Sequence, residues 1–331
     1  MKIYKSIEEF NFSGNSAVTI GTFDGVHIGH QKIISNLQKA AKEIQGESVV
    51  LTFFPHPRLI INPDDEGLKL ISDIQEKTHQ LYKARVDHLI ITPFTRDFSN
   101  QTPEEYINGV LVRKLRTKKI VIGYDHHFGK DRKGTIKDLR ELSTIYDFEV
   151  QEIPKQDIDD VSISSTRIRE ALIKGDVETA NKYLGYPFQL TGKVTVGDQV
   201  GRTIGFPTAN LSIAESHKLI PAYGIYAVQV EVIDNLANDV SSGPYQEPEP
   251  ILKADALAYI GTRPTLDGLN RTIEVHLLDF QGDLYKKTIK VHFLHFIRHD
   301  QRFEGMDAMI QQMKKDEAQV REFFKNYNQE N

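Results

Sequence analysis

The chain has 331 residues, a formal net charge of -5, 39% hydrophobic and 26% charged residues, and no cysteine. This balance excludes a disordered or fibrous chain and leaves room for two domains with separate cores. The missing cysteines exclude a disulfide framework and thiolate metal sites, and the acidic balance argues against broad nucleic-acid binding.

The opening MKIYKSIEEF lacks the apolar core of a signal peptide, and no run reaches the ~18 apolar residues of a membrane span. A cytoplasmic chain that touches neither membrane nor nucleic acid is the expectation. From residue 17 onward, short apolar runs alternate with helical patterns. Strands are predicted at 17–20, 48–54, 88–92, 119–123 and 148–153, each of ordinary strand length. A helix is predicted after the first strand, because Ile33, Ile34, Leu37, Ala40, Ala41 and Ile44 form one stripe. Another opens at Thr102, where Glu105 completes a capping box and Pro103 takes the first helical position. Its basic end, Arg113 to Lys119, reads as a solvated helix end.

Strand-helix alternation implies an α/β fold with a parallel sheet, helices on both faces and a ligand at the carboxyl ends of the strands. After about Gly185 strict alternation takes over at 227–232, 272–277 and 288–293, as in an antiparallel sheet or small barrel. A long helix closes the chain from Gly305. The boundary is placed at 185/186. Residues 234–255 are polar, contain prolines and lack periodicity, and are expected to form a mobile surface insertion with 236–250 dispensable.

The stretch VTIGTFDGVHIGHQKII carries the first chemistry. Gly21, Gly25 and Gly29 let backbone amides and a helix N-terminus approach an anion, and His27 and His30, three residues apart, can both donate to phosphate oxygens. Surface histidines beside an ordinary strand-helix turn are the plainer alternative. Ser164, Ser165 and Thr166 stand where a helix starts, a second place for an anion that Arg169 would reach, or simply a cap. In GKVTVGDQVGRTIGFPTANLSI, Gly197, Gly201 and Gly205 allow close phosphate approach. Pro207 stiffens the turn presenting Thr208 and Asn210, hard oxygen ligands suited to Mg²⁺. A glycine-rich hairpin would look the same. Along RTIEVHLLDF, Glu274 shares a strand face with Thr272 and His276; it is either a solvated carboxylate or a base for an attacking hydroxyl.

Together the H-x-G-H and ISSTRIR segments resemble the nucleotidyltransferase superfamily, which transfers an adenylyl group from ATP. The H-I-G-H tetrad is also similar to the class I aminoacyl-tRNA synthetase signature, but no lysine-rich companion loop follows. The series GFPTAN, IGTRPTLDG, TIEVHLLDF and IRHDQRFEGMDAMIQQMKKD resembles riboflavin kinase, and the whole chain resembles the prokaryotic bifunctional riboflavin kinase/FAD synthetases.

That resemblance implies an N-terminal Rossmann-like FMN adenylyltransferase domain, 1–185, and a C-terminal riboflavin kinase barrel with a terminal helix, 186–331. It implies riboflavin, FMN and ATP as substrates and Mg²⁺ as cofactor. His27, His30 and Arg169 would stabilise the α-phosphate and departing pyrophosphate, and Glu274 would be the kinase base. Nucleotide contacts are implied for Gly21, Thr22, Phe23, Asp24, Gly29, Asp125, Ser164, Ser165, Thr166, Gly201 and Arg202. Flavin contacts are implied for His56, Pro57, Phe128 and Arg298, and metal ligation for Thr208 and Asn210. Asp125 and His126 depart from the residues commoner in that family. A flavin-binding regulatory protein that has lost one or both activities is the alternative; retention of both histidines, Arg169 and Glu274 weighs against it.

Overall fold

The computed structural model describes all residues except 64–66, 125, 155–162, 198–200, 202–203, 235–239, 266–267 and 331, and only the backbone at 132, 263–265, 268–270 and 330. By packing, the chain divides into two compact units. One comprises Met1–Ser165 with Asp239–Glu247, the other Thr166–Asn238 with Pro248–Asn331.

In the first unit, β1 (Lys2–Tyr4), β2 (Ser16–Ile20), β3 (Glu47–Phe53), β4 (His88–Thr92), β5 (Thr117–Gly123) and β6 (Glu149–Ile153) form a parallel array. The order is β1-β4-β3-β2-β5-β6. The chain therefore moves from β2 to β3 and β4 on one side, then returns to β5 and β6 on the other. That reversal beside β2 opens a crevice at the carboxyl ends of the strands, the usual ligand position in such sheets.

Alternate residues feed two cores. Val18, Ile20, Val49, Leu51, Ile120 and Ile122 enter one, and Ala17, Val50, Leu89 and Val121 the other. Burial on both faces is why these strands read as continuous apolar runs rather than alternating ones. The helices are α1 (Ile28–Glu43), α2 (Pro57–Ile61), α3 (Ile74–Lys83), α4 (Arg96–Ser99), α5 (Pro103–Tyr106) and α6 (Ile136–Tyr146). The capping box expected at Thr102 and Glu105 forms, and α5 continues through Ile107–Lys114 as a wider π-type turn. Of the basic run at its end, Lys119 lies in β5 and pairs with Glu43 and Glu149.

The second unit begins with α7 (Ser165–Lys174), whose first residue is the last of the first unit, and α8 (Val177–Leu184). Strands β7 (Phe188–Thr195), β8 (Ala209–Ser212) and β9 (Gly224–Ile233) follow. With β11 (Leu252–Thr265), β12 (Gly268–Leu277) and β13 (Thr288–His299), they close an antiparallel barrel in the order β11-β12-β8-β7-β13-β9. The terminal helix α9 (Met306–Glu330) packs Val320 and Phe324 against Ala227, Leu278 and Leu294.

The structure corrects the expected mobile insertion. Residues 252–255 open β11 and pair with β9. Upstream, β10 (Gly243–Pro244) adds an antiparallel edge to the first unit's sheet, with Lys2 opposite Pro244 and Ile3 opposite Gly243. Val240 is buried in that unit's core, Tyr245 packs beside it, and Glu247 pairs with Lys83 at 2.8 Å. A two-residue strand is too short to show periodicity, and its partner β1 lies some 240 positions away in the sequence. Residues 240–247 are therefore not dispensable. Replacing them with a flexible linker is expected to cost about 3 kcal/mol, chiefly the burial of Val240 and Tyr245. The thermal midpoint of the first unit should fall by roughly 5 to 10 °C, measurable by calorimetry.

Candidate active sites

The loop between β2 and α1 is tightly tied. The Gly21 N–H donates to the Leu51 carbonyl at 3.1 Å, and the Thr22 carbonyl accepts from Thr52 at 3.3 Å. Phe23 is buried. The Asp24 carboxylate accepts from the Ile71 and Ser72 backbone N–H groups at 2.9 and 3.1 Å, while the Gly25 N–H donates to Ser72 Oγ at 3.0 Å. Asp24 thus holds the loop against the segment leading into α3.

His27 caps α1, its Nδ1 accepting from the His30 backbone N–H at 3.4 Å. An acceptor Nδ1 leaves Nε2 as the donor of a neutral ring. The His27 and His30 rings stack with centroids 3.7 Å apart, and Phe23 meets His30 edge-on at 5.1 Å. His30 Nδ1 is buried with no hydrogen-bond partner among the described residues. Burial first, then the electrostatic influence of neighbouring His27 and Lys77, pushes the His30 pKa well below 6.5. At neutral pH the ring is uncharged, a donor without a charge.

Gly29 is buried in the first turn of α1. Ser165 opens α7 and donates from Oγ to the Asp24 carbonyl at 3.2 Å, a bond within the first unit. Ser164 precedes it and Thr166 follows, both exposed; Arg169, four residues after Ser165, shares its helix face. His56 caps α2 ahead of Pro57, its Nδ1 accepting from the Arg58 N–H at 3.2 Å. Phe128 is buried in the core, with Tyr106 at 5.2 Å and His126 at 5.9 Å, so most of its surface already has partners. Asp125 and Arg202 lie outside the described residues.

In the barrel, Asn210 on β8 stands directly opposite Glu274 on β12. Opposed residues of an antiparallel pair share a face. Thr208 Oγ1 donates to Glu274 Oε2 at 3.0 Å. A Cβ added at Gly201 would meet the Phe206 backbone carbonyl at 2.3 Å, so that position requires glycine, while one at Gly197 would meet Asn210 Nδ2 at 2.2 Å and push that side chain aside.

A cavity of about 480 Å³ gathers Gly201, Thr208, Asn210, Glu274 and Arg298 with the apolar side chains of Met309 and Met313. Beyond Thr208, a second cavity of about 440 Å³ is lined by Val194, Pro207, Leu284 and Tyr285. A larger, open groove of about 650 Å³ beside Lys174 and Arg271 contains none of the predicted site residues.

Family models meet this two-unit arrangement in chain order: FAD synthetase over residues 10–167 and riboflavin kinase over 184–324. The bifunctional riboflavin kinase/FMN adenylyltransferase of Escherichia coli K12 is 35% identical over 326 residues, covering 98% of each chain. That of Listeria monocytogenes is 35% identical over 311 residues, covering 94% of this chain and 93% of its own. The chain belongs to the bifunctional riboflavin kinase/FMN adenylyltransferase family. A crystal structure described as a macrolide-efflux protein from Streptococcus pneumoniae is 33% identical with a TM-score of 0.81, covering 96% of this chain and 98% of that one. Among the described residues, no helix is long and apolar enough to cross a membrane.

Within this riboflavin kinase/FMN adenylyltransferase chain, two residues escaped the sequence reading. Asp316, 1% exposed, clamps Arg298 through Nε at 2.8 Å and Nη2 at 2.6 Å, with Gln312 donating to it at 2.8 Å. Lys77, 6% exposed, is buried in α3. Each had a signal: a charged residue on an apolar helical stripe, Asp316 among Met309, Met313, Val320 and Phe324, and Lys77 between Ile74 and Leu81.

Proposed function

We propose that the chain converts riboflavin to FAD in two ATP-dependent steps, adenylyl transfer in residues 1–185 and phosphorylation in residues 186–331, with the functional boundary near Gly185. The Thr208–Glu274 hydrogen bond in the barrel cavity carries this reading, because it places a carboxylate beside the two hard oxygen donors. In the first step the riboflavin 5′-hydroxyl oxygen bonds to the γ-phosphorus of ATP, and the bond from that phosphorus to the β-phosphate oxygen breaks. Glu274 takes the hydroxyl proton, giving FMN and ADP. The cavities on either side of Thr208 suit a flavin, against Met309, Met313 and Arg298, and a nucleotide, beside Val194, Pro207 and Tyr285; Gly201 and Arg202 are assigned to nucleotide binding.

Thr208 Oγ1 and Asn210 Oδ1 fit Mg²⁺, which binds a few protein oxygens and keeps its remaining places for phosphates and water. When bound, it supplies positive charge at the phosphate oxygens. In the second step an oxygen of the FMN phosphate bonds to the α-phosphorus of another ATP, and pyrophosphate leaves with the broken bond's electrons. That phosphate needs no base near neutral pH, so the demand is for alignment and charge stabilisation. His27 and His30 supply donors, Arg169 a charge, and the β2–α1 loop with Ser164 to Thr166 the backbone and hydroxyl contacts. Asp24, which holds the β2–α1 loop to the Ile71 and Ser72 N–H groups, and Asp125 are assigned to the nucleotide, and His56, Pro57 and Phe128 to the flavin.

The substrates are small molecules, and the proposed location is the cytoplasm, with no part for nucleic acid or membrane. Incubation with riboflavin, ATP and Mg²⁺ followed by chromatography tests the reading. FMN and then FAD should accumulate, whereas flavin binding without turnover would leave a regulatory protein.

A further inference from the structure

Lys77 stands one turn into α3, its backbone N–H donating to the Asp73 carbonyl at 3.0 Å. Asp73 caps that helix and forms a capping box with Glu76, so both carboxylates have backbone partners. The Asp24 carboxylate is likewise taken up by the Ile71 and Ser72 N–H groups. Among the described residues, no carboxylate comes within ion-pairing distance of the Lys77 ammonium, and no side-chain hydrogen bond satisfies it. A buried ammonium without a counter-ion is costly, and sites that keep one commonly meet an anion from outside.

The charged and titratable groups close enough to act on Lys77 come from each adjoining element: Asp24 in the β2–α1 loop, Asp73 at the start of α3, and His30 in α1. Burial lowers its pKa to about 8, against the raising influence of Asp24 and Asp73, so the ammonium still predominates at pH 7. His30 is neutral there, and its partnerless Nδ1 is buried. The stacked histidines therefore bring donors, and the positive charge beside them is that of Lys77.

We propose that Lys77 is a further cation of the adenylyl-transfer site, holding the triphosphate of ATP and the pyrophosphate that leaves. This rests on the reading that the first unit transfers adenylyl groups. The tie between the β2–α1 loop and the start of α3, through Asp24 and Ser72, keeps the ammonium in step with the histidine pair.

The test uses the full chain, with inorganic pyrophosphate as probe in calorimetric titrations and with FMN adenylylation kinetics. Lys77→Met should weaken pyrophosphate binding on the order of tenfold or more, the worth of one charge-assisted contact, and raise the KM for ATP. Lys77→Arg, which keeps the charge, should stay closer to the wild type in both. A second measurement needs no folded variant: the Lys77 ¹³Cε resonance of the wild type should titrate at higher pH when pyrophosphate is present. Wild-type FAD formation together with unchanged pyrophosphate binding by Lys77→Met, or an unmoved Lys77 titration, overturns the Lys77 role alone. No FAD formation by the wild type overturns the adenylyl-transfer reading and the Lys77 role with it.

Discussion

Glu274→Gln is expected to lower riboflavin phosphorylation by on the order of 10² to 10⁴, the usual cost of losing a general base. Conversion of supplied FMN to FAD should continue at the wild-type rate. The amide oxygen of Gln can still accept from Thr208 Oγ1, which now donates to Glu274 at 3.0 Å, so the barrel should keep its fold. Asn210→Ala is the informative companion, because it removes an oxygen donor opposite Glu274 and leaves the base in place. That variant should need more Mg²⁺ for half-maximal phosphorylation, while Glu274→Gln should not. Steady-state rates with riboflavin, and separately with FMN, read both outcomes. Near wild-type phosphorylation by Glu274→Gln would make Glu274 a solvated strand residue and move the base elsewhere in the barrel.

His30→Ala should reverse the pattern: FMN accumulates from riboflavin, and FAD formation falls by roughly 10² to 10³, as when one donor to a developing charge is removed. The variant also reports on the buried ring. His30 is neutral in the native state because burial lowers its pKa well below 6.5, whereas the unfolded chain takes up a proton near that value. The unfolded state then binds more protons as pH falls below 6.5, so the stability this ring contributes is present above 6.5 and lost toward the lower native pKa. The wild-type thermal midpoint should therefore drop more steeply than that of His30→Ala as the pH is taken below 6.5. Equal loss of FMN and FAD in a folded His30→Ala protein would assign both steps to one site and sink the separation by unit.

Much of this architecture was legible because its signals are local. Buried parallel strands such as 88–92 announce themselves as continuous apolar runs, and the alternation of 272–277 puts Ile273, Val275 and Leu277 on the buried face and Glu274 on the other. The His27–His30 spacing and the Ser164–Thr166 run ahead of Ile168, Ala171 and Leu172 are likewise set within about one helical turn, so the residues alone place both helix starts.

What the residues alone could not decide were pairings made across long stretches of chain. The β1–β10 edge joins residues 2–3 to 243–244, and neither segment has enough length to show a period. Lys77 and Asp316, each a lone charge on an apolar helical stripe, are buried by packing, one beside the β2–α1 loop and the other against Arg298. Burial of a charge depends on what covers it, and the covering elements lie far away in the sequence. Sequence therefore determined the elements and their order, while tertiary structure decided which edge is covered, which carboxylate holds Arg298 and where the buried ammonium stands.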